Sequence, residues 1–215
     1  MTFGLDQLSR LRQRVRETLG VGRYLHTLGV ERAAIRLGEQ LCPEDISELS
    51  VAALLHDITK ELSEEEQLEI LKNIPEICDS DIKSASVHHS LTAPYVIERD
   101  FAEFATERVL EAVRNHTTGD EGMSVFDEII FISDYIEDGR TYEGCVNVRD
   151  ALYSELEGAR TSEDKLRALR RAVLSALDNT VVGLVKSGRV IHERTVYARN
   201  YILGALLPQH TVTGD

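Results

Sequence analysis

Apolar residues along this chain recur at three- and four-residue spacing, the period of an amphipathic helix, and strand-like alternation is scarce. From Leu5 to Leu19 apolar positions interleave with Arg and Gln at helical spacing. Gly20 and Gly22 then separate that stretch from a second helix beginning near Arg23. Pro43-Glu44-Asp45 brings a proline and two acids to a first turn, followed by Ile46, Leu49 and Ala53 and a buried end at His56. Ser63 with Glu66 is a capping-box pattern that opens a short helix, and Pro75 marks a boundary soon after it. A second such pattern, Ser124 with Asp127, precedes Ile129, Ile130, Phe131, Ile132, Tyr135 and Ile136. That stretch is apolar almost all round, which predicts an internal helix ending before Gly139. Farther on, Leu166, Leu169, Val173, Leu177, Leu184 and Val185 predict an amphipathic helix pair between Asp164 and Lys186. The fold class expected is all-α.

Composition narrows the class. A chain of 215 residues, 42% of them hydrophobic, can build one core. The organisation expected is a helical extension over 1–20, a single domain over 21–206 and a frayed tail over 207–215. A net charge of −13 argues against a nucleic-acid partner, because such proteins cluster Lys and Arg against the phosphates. No run of about 18 apolar residues is present to span a membrane. The start, Met1-Thr2-Phe3-Gly4-Leu5, lacks a basic region followed by an apolar one, so no secretory signal is read and the expected location is the cytoplasm. Cys42, Cys78 and Cys145 are odd in number and widely spaced, which fits reduced thiols better than a disulfide framework.

The candidate chemistry lies in five fragments: Arg23 to Thr27, His56 to Lys60, His88, Asn115-His116-Thr117, and Ser133 to Arg140. Each places a histidine or aspartate within or at the end of an apolar helical stretch, where an unpaired imidazole or carboxylate is costly to bury. A divalent metal on His26, His56, Asp57 and Asp134 compensates them, since imidazole and carboxylate together suit a first-row ion. His56-Asp57 alone is a common dipeptide, readable as a capped helix end. It gains weight because the other candidates follow in order, about one per helix. Asp134 has a competing reading as a salt bridge to Arg140. Arg23 lies one helical turn before His26 and points into the same cleft.

The ordered set His26, His56-Asp57, Asp134 resembles the HD superfamily of metal-dependent phosphohydrolases. The surrounding words, Arg23 to Val30, His56 to Lys60, His116-Thr117-Thr118-Gly119 and Asp134 to Arg140, look like the YqeK-type symmetrical diadenosine tetraphosphate hydrolases over roughly residues 20 to 205. This resemblance implies a single HD-domain helical bundle. It also implies a divalent transition metal, iron first and manganese, cobalt or zinc as substitutes, on His26, His56, Asp57 and Asp134. Arg23, Lys60, His88, His116 and Arg140 would surround the phosphates. Four protein ligands on a six-coordinate ion leave room for water and a phosphate oxygen. Asp57 would orient or deprotonate that water, Lys60 would neutralise charge on the phosphoryl oxygens, and His116 would protonate the departing oxygen. At His88-His89-Ser90-Leu91-Thr92-Ala93 the chain departs from the family's usual pattern, and aligning on Ala93 favours His88 over His89.

The implied activity is symmetrical hydrolysis of diadenosine tetraphosphate into two ADP. The implied partners are a dinucleoside polyphosphate substrate and the ADP product, with a homodimer as the assembly to consider. Other HD activities share the metal ligands: a nucleotidase, a cyclic-nucleotide phosphodiesterase or a guanosine-alarmone hydrolase. Outside catalysis, a nucleotide-binding module with a structural metal is the alternative.

Overall fold

The computed structural model describes residues 2–75 and 77–208, and among these the regular secondary structure is helical throughout. The α-helices are α1 (Leu5–Thr18), α2 (Val21–Leu41), α3 (Ile46–Leu55), α4 (Glu64–Leu71), α5 (Asp79–Lys83), α6 (His88–Asp100), α7 (Glu107–Asn115), α8 (Val125–Ile136), α9 (Glu143–Gly158), α10 (Ser162–Lys186) and α11 (Glu193–Leu206). The all-α expectation holds. No described helix is long and apolar enough to cross a membrane.

Both capping boxes form as the sequence indicates. Ser63 Oγ accepts from Glu66 N at 3.2 Å while Glu66 Oε2 accepts from Ser63 N at 2.8 Å, and Ser124 with Asp127 repeats this at 3.3 and 2.8 Å. α2 packs on α3 and α8, α3 on α7, and α7 on both α6 and α8, so α8 is internal. Its Ile129, Ile130, Ile132 and Ile136 are fully buried together with Leu49, Leu54 and Leu55 of α3. α10 closes the other side against α8, α9 and α11.

One reading of the sequence changes and another is left untested. The helix pair expected between Asp164 and Lys186 is one continuous helix of 25 residues. The polar triplet Asp178-Asn179-Thr180 does not break it, because the Thr180 hydroxyl donates back to Ala176 O at 2.8 Å and satisfies itself within the helix. The frayed tail expected over 207–215 lies, beyond Pro208, outside the described residues.

The first helix is part of the common core. Leu11 and Val15 are fully buried in the same apolar cluster as α3 and α8. Arg12 donates through both Nε (3.0 and 3.1 Å) and Nη2 (2.6 Å) to the buried carboxylate of Glu31 on α2, which also accepts from the Ser50 hydroxyl on α3. α8 carries a second buried acid. Glu128 is fully buried, with Arg170 Nε of α10 at 3.2 Å from its Oε1.

Leu11→Ala is expected to cost about 2–5 kcal/mol in urea unfolding, the range for truncating a fully buried leucine. A cost below about 0.5 kcal/mol, typical of surface changes, would show that α1 is not integrated. Glu128 gives a pH-dependent test. Burial pushes its carboxyl up to about 7, against the opposing pull of Arg170, from an ordinary 4.5. The folded state therefore holds this proton more tightly than the unfolded chain. The resulting stabilisation is complete below pH 4.5 and is lost as pH rises through about 7. Glu128→Gln should match wild type at about pH 5 and exceed it at about pH 8 by on the order of 2 kcal/mol. A variant weaker than wild type at the higher pH would make the Arg170 pair the dominant effect.

Candidate functional site

The ends of helices bring the functional side chains together. α3 stops at Leu55, and the chain turns tightly, with Ile58 N bonded to Leu55 O (3.1 Å) and Lys60 N to Asp57 O (2.9 Å), so that neighbouring His56 and Asp57 face one point. Thr59 fixes this turn by donating its hydroxyl to His89 O on α6 at 2.9 Å. α7 stops at Asn115 and presents His116 as its cap, whereas His26 sits within α2 and Asp134 in the last turns of α8. Gly29, one turn after His26, leaves the space that the Glu137 carboxylate fills, since a Cβ there would collide with it.

Three imidazoles are oriented in the same way. His56 Nδ1 donates to Ala53 O at 2.7 Å and His116 Nδ1 to Val113 O at 2.6 Å. His26 Nδ1 faces Glu137 Oε1 at 3.2 Å. A proton held at Nδ1 leaves each Nε2 with a free lone pair, the tautomer that binds metal. His26 Nε2 and His56 Nε2 are buried without hydrogen-bond partners. Carboxylate oxygens surround them: Asp134 Oδ1 is 2.9 Å from His26 Nε2 and 3.9 Å from His56 Nε2, and Asp57 Oδ2 is 3.7 and 3.4 Å from the same two atoms. Two donor groups result, His26 with His56 and Asp134, and His56 with Asp57 and His116, each with ligand atoms within 4.8 Å of one another.

Asp57 joins the two groups. Its Oδ2 also accepts from Arg23 Nη1 at 2.7 Å, while its Oδ1 faces His89 Nε2 at 3.3 Å and His116 Nε2 at 3.6 Å. Burial pushes the Asp57 carboxyl up, but the neighbouring His56 and His116 outweigh it and hold the group well below the usual carboxylate range. Asp134 is lowered in the same sense, burial being overcome by His26 and by Arg140, whose Nη2 is 2.8 Å from Oδ1. Burial lowers Lys60, and it lowers His89 well below an ordinary imidazole, helped there by the neighbouring charges of His116 and Lys60. Ionised carboxylates are the protonation state that a metal requires of acidic ligands.

Of the residues expected from the sequence, the structure brings together Arg23, His26, His56, Asp57, Lys60, His116, Asp134 and Arg140. The expectation for His88 is corrected. Its Nε2 contacts Ile82 O at 3.1 Å, on the side of the small apolar cluster of Leu71, Val87 and Leu91. His89 takes the place in the site, with Lys60 Nζ at 3.1 Å and His116 Nε2 at 3.1 Å. The signal was present in the helical period, for His89, Ala93 and Ile97 follow one core-facing stripe at four-residue spacing. Sequence reasoning also missed Glu137 behind His26, Thr117, whose hydroxyl lies 3.0 Å from both His89 and His116 Nε2, and Arg149, which donates to Glu137 O and Arg140 O at 3.0 and 2.8 Å. Beside the cluster opens a cavity of about 530 Å³ whose walls include Arg23, His26, Arg140 and Tyr142.

Comparison with known proteins places this arrangement in a family. The profile of the HD domain matches residues 23–139, the span from Arg23 to Gly139 that contains both donor groups. The chain is 31% identical to a symmetrical bis(5'-nucleosyl)-tetraphosphatase of Halalkalibacterium halodurans over 89% of its own length and 94% of that protein. It is 28% identical to the protein of the same name from Bacillus subtilis, over 88% and 94%. Among solved structures, an HD superfamily hydrolase described as involved in NAD metabolism, from Clostridium acetobutylicum, superposes with a TM-score of 0.78 at 32% identity, covering 95% of this chain and all of that one. On this match and these relatives, the chain belongs to the HD domain family.

Proposed function

We propose that this protein hydrolyses diadenosine tetraphosphate symmetrically into two ADP, with a divalent transition metal held by His26, His56, Asp57 and Asp134. The observation that carries the reading is the pair of buried, unpartnered Nε2 atoms of His26 and His56 set among two ionised carboxylates, with Arg23, Lys60 and Arg140 at the edge of the same cluster. The relatives from Halalkalibacterium halodurans and Bacillus subtilis, matched over nearly their whole length, support the substrate. Iron is the metal we favour, and manganese, cobalt and zinc suit the same donors. When bound, the ion supplies Lewis acidity toward a phosphoryl oxygen and acidifies water.

The residues of the chain do the rest. Asp57, ionised and facing both donor groups, accepts the proton of the attacking water. Arg23 and Arg140 each keep N–H donors beyond those given to Asp57 and Asp134, and these neutralise charge on the phosphoryl oxygens together with Lys60. His116 serves as the proton donor to the departing phosphate oxygen, and His89, rather than His88, lies beside it. The proposed setting is the cytoplasm, where Cys42, Cys78 and Cys145, all unpaired, remain reduced. A second reading is favoured by one contact: His116 Nε2 and His89 Nε2 face each other at 3.1 Å beside Asp57 Oδ1, a donor set for a second ion.

Metal analysis separates these roles. His56→Ala and Asp134→Ala should lose both metal and activity. His116→Ala should retain about one ion per chain while turnover falls roughly 10²–10⁴-fold, the usual contribution of a general acid. Two ions in wild type and one in His116→Ala would establish the second reading. Product analysis tests the reaction itself. In water enriched in heavy oxygen, metal-loaded protein should convert diadenosine tetraphosphate into ADP alone, with the label in half of the ADP molecules. Early ATP and AMP in equal yield would overturn the symmetrical assignment. Absence of turnover with iron, manganese, cobalt and zinc alike would leave the binding module.

A further inference from the structure

The cavity beside the cluster has two chemically different ends. At its inner end lie His26, with a side chain only 12% exposed, and the guanidinium groups of Arg23 and Arg140. At its outer end lie Gly22, Glu61 and Tyr142. Tyr142 is 76% exposed and belongs to neither apolar cluster of the fold, so its ring contributes little to stability. Its backbone is nevertheless fixed. The Tyr142 carbonyl accepts from Cys145 N (2.9 Å) and Val146 N (3.0 Å) at the start of α9, and Arg149 of the same helix donates to the carbonyl of Arg140 (2.8 Å). An open aromatic ring is thus held at a set offset from a phosphate-binding arginine. Gly22 borders the cavity beside open space, where a Cβ would meet nothing within 4 Å.

We infer that the outer end of this cavity is a nucleoside subsite in which Tyr142 stacks on the adenine of one bound nucleotide, with its phosphates directed inward to Arg23 and Arg140. The inference rests on the reading above and adds the residue that recognises the base. Three features support it. A volume of about 530 Å³ falls in the range of ligand-binding cavities. An aromatic face offers stacking to any base without demanding a hydrogen-bond pattern. The carboxylate of Glu61 disfavours phosphate at the outer end, while Arg23 and Arg140 offer N–H donors for it at the inner end beside Glu137.

Calorimetric titration of manganese-loaded protein with two probes, ADP and inorganic diphosphate, isolates the base from the phosphates. Wild type should bind ADP more tightly than diphosphate. In Tyr142→Ala the ADP dissociation constant should rise about tenfold while that for diphosphate stays unchanged, and Tyr142→Phe should retain ADP affinity because the stacking face survives. Gly22→Leu, which fills the cavity from α2 without a backbone conflict, should also weaken ADP selectively. Unaltered ADP affinity in Tyr142→Ala, a parallel loss of both probes, or a wild type that binds ADP no better than diphosphate would each overturn the inference. Its failure is separable from that of the reaction, which is judged by the products that wild type forms from diadenosine tetraphosphate.

Discussion

An ionised carboxylate in the interior is the constraint around which this molecule is arranged. Asp57 is 3% exposed, and a buried charge is tolerated only when its oxygens are matched by donors or cations. Its two oxygens face different elements: Arg23 and His26 of α2 on one side, His89 of α6 and His116 at the end of α7 on the other, with His56 beside it. These helices must therefore meet at one point. The apolar packing of α3, α7 and α8 supplies the free energy for that convergence, and the polar cluster determines its register.

The way the histidines are prepared follows from helix geometry. The last carbonyls of a helix have no partner within it. His56 and His116 each follow the end of a helix and each donates Nδ1–H to the carbonyl three residues earlier, at Ala53 and Val113. An apolar helix ending in histidine thus satisfies an orphan acceptor and fixes a metal-binding tautomer with one hydrogen bond. His26, inside α2, has no such carbonyl available, and the chain supplies Glu137 instead, admitted by Gly29. The same orientation is reached by two different local routes.

This difference also explains what was legible in the sequence. The helix-end histidines announce themselves, because an apolar run stopping at His56 or His116 is visible in the primary structure. Capping boxes at Ser63 and Ser124 were equally plain, since their partners lie three residues away. Glu137 was not, because its role depends on a contact across 111 positions of chain. α6 passed unread, as Pro94 lies in its middle and weakens the helical pattern, since an interior proline has no N–H to give to the preceding turn. Without that helix's phase, His88 and His89 could not be separated; with it, they point to different clusters. The stretch read as a helix pair is one continuous α10, in which the polar Thr180 bonds to a carbonyl of its own helix.

Charge balance joins the metal to the substrate. The chain carries a net charge of −13, so its long-range field opposes a tetraphosphate, and attraction must be local. Within the cluster Arg23, Lys60 and Arg140 are countered by Asp57, Asp134 and Glu137, and burial further weakens the hold of Lys60 on its proton. The protein groups alone therefore offer a polyphosphate little net attraction. The divalent charge proposed at His26, His56, Asp57 and Asp134 would reverse that balance. With such an ion bound, the carboxylates would need Arg23 and Arg140 less, and guanidinium donors would be free for phosphate. On this argument metal and substrate would bind cooperatively, because the two arginines that serve Asp57 and Asp134 would be released toward phosphate once the proposed ion took up those carboxylates.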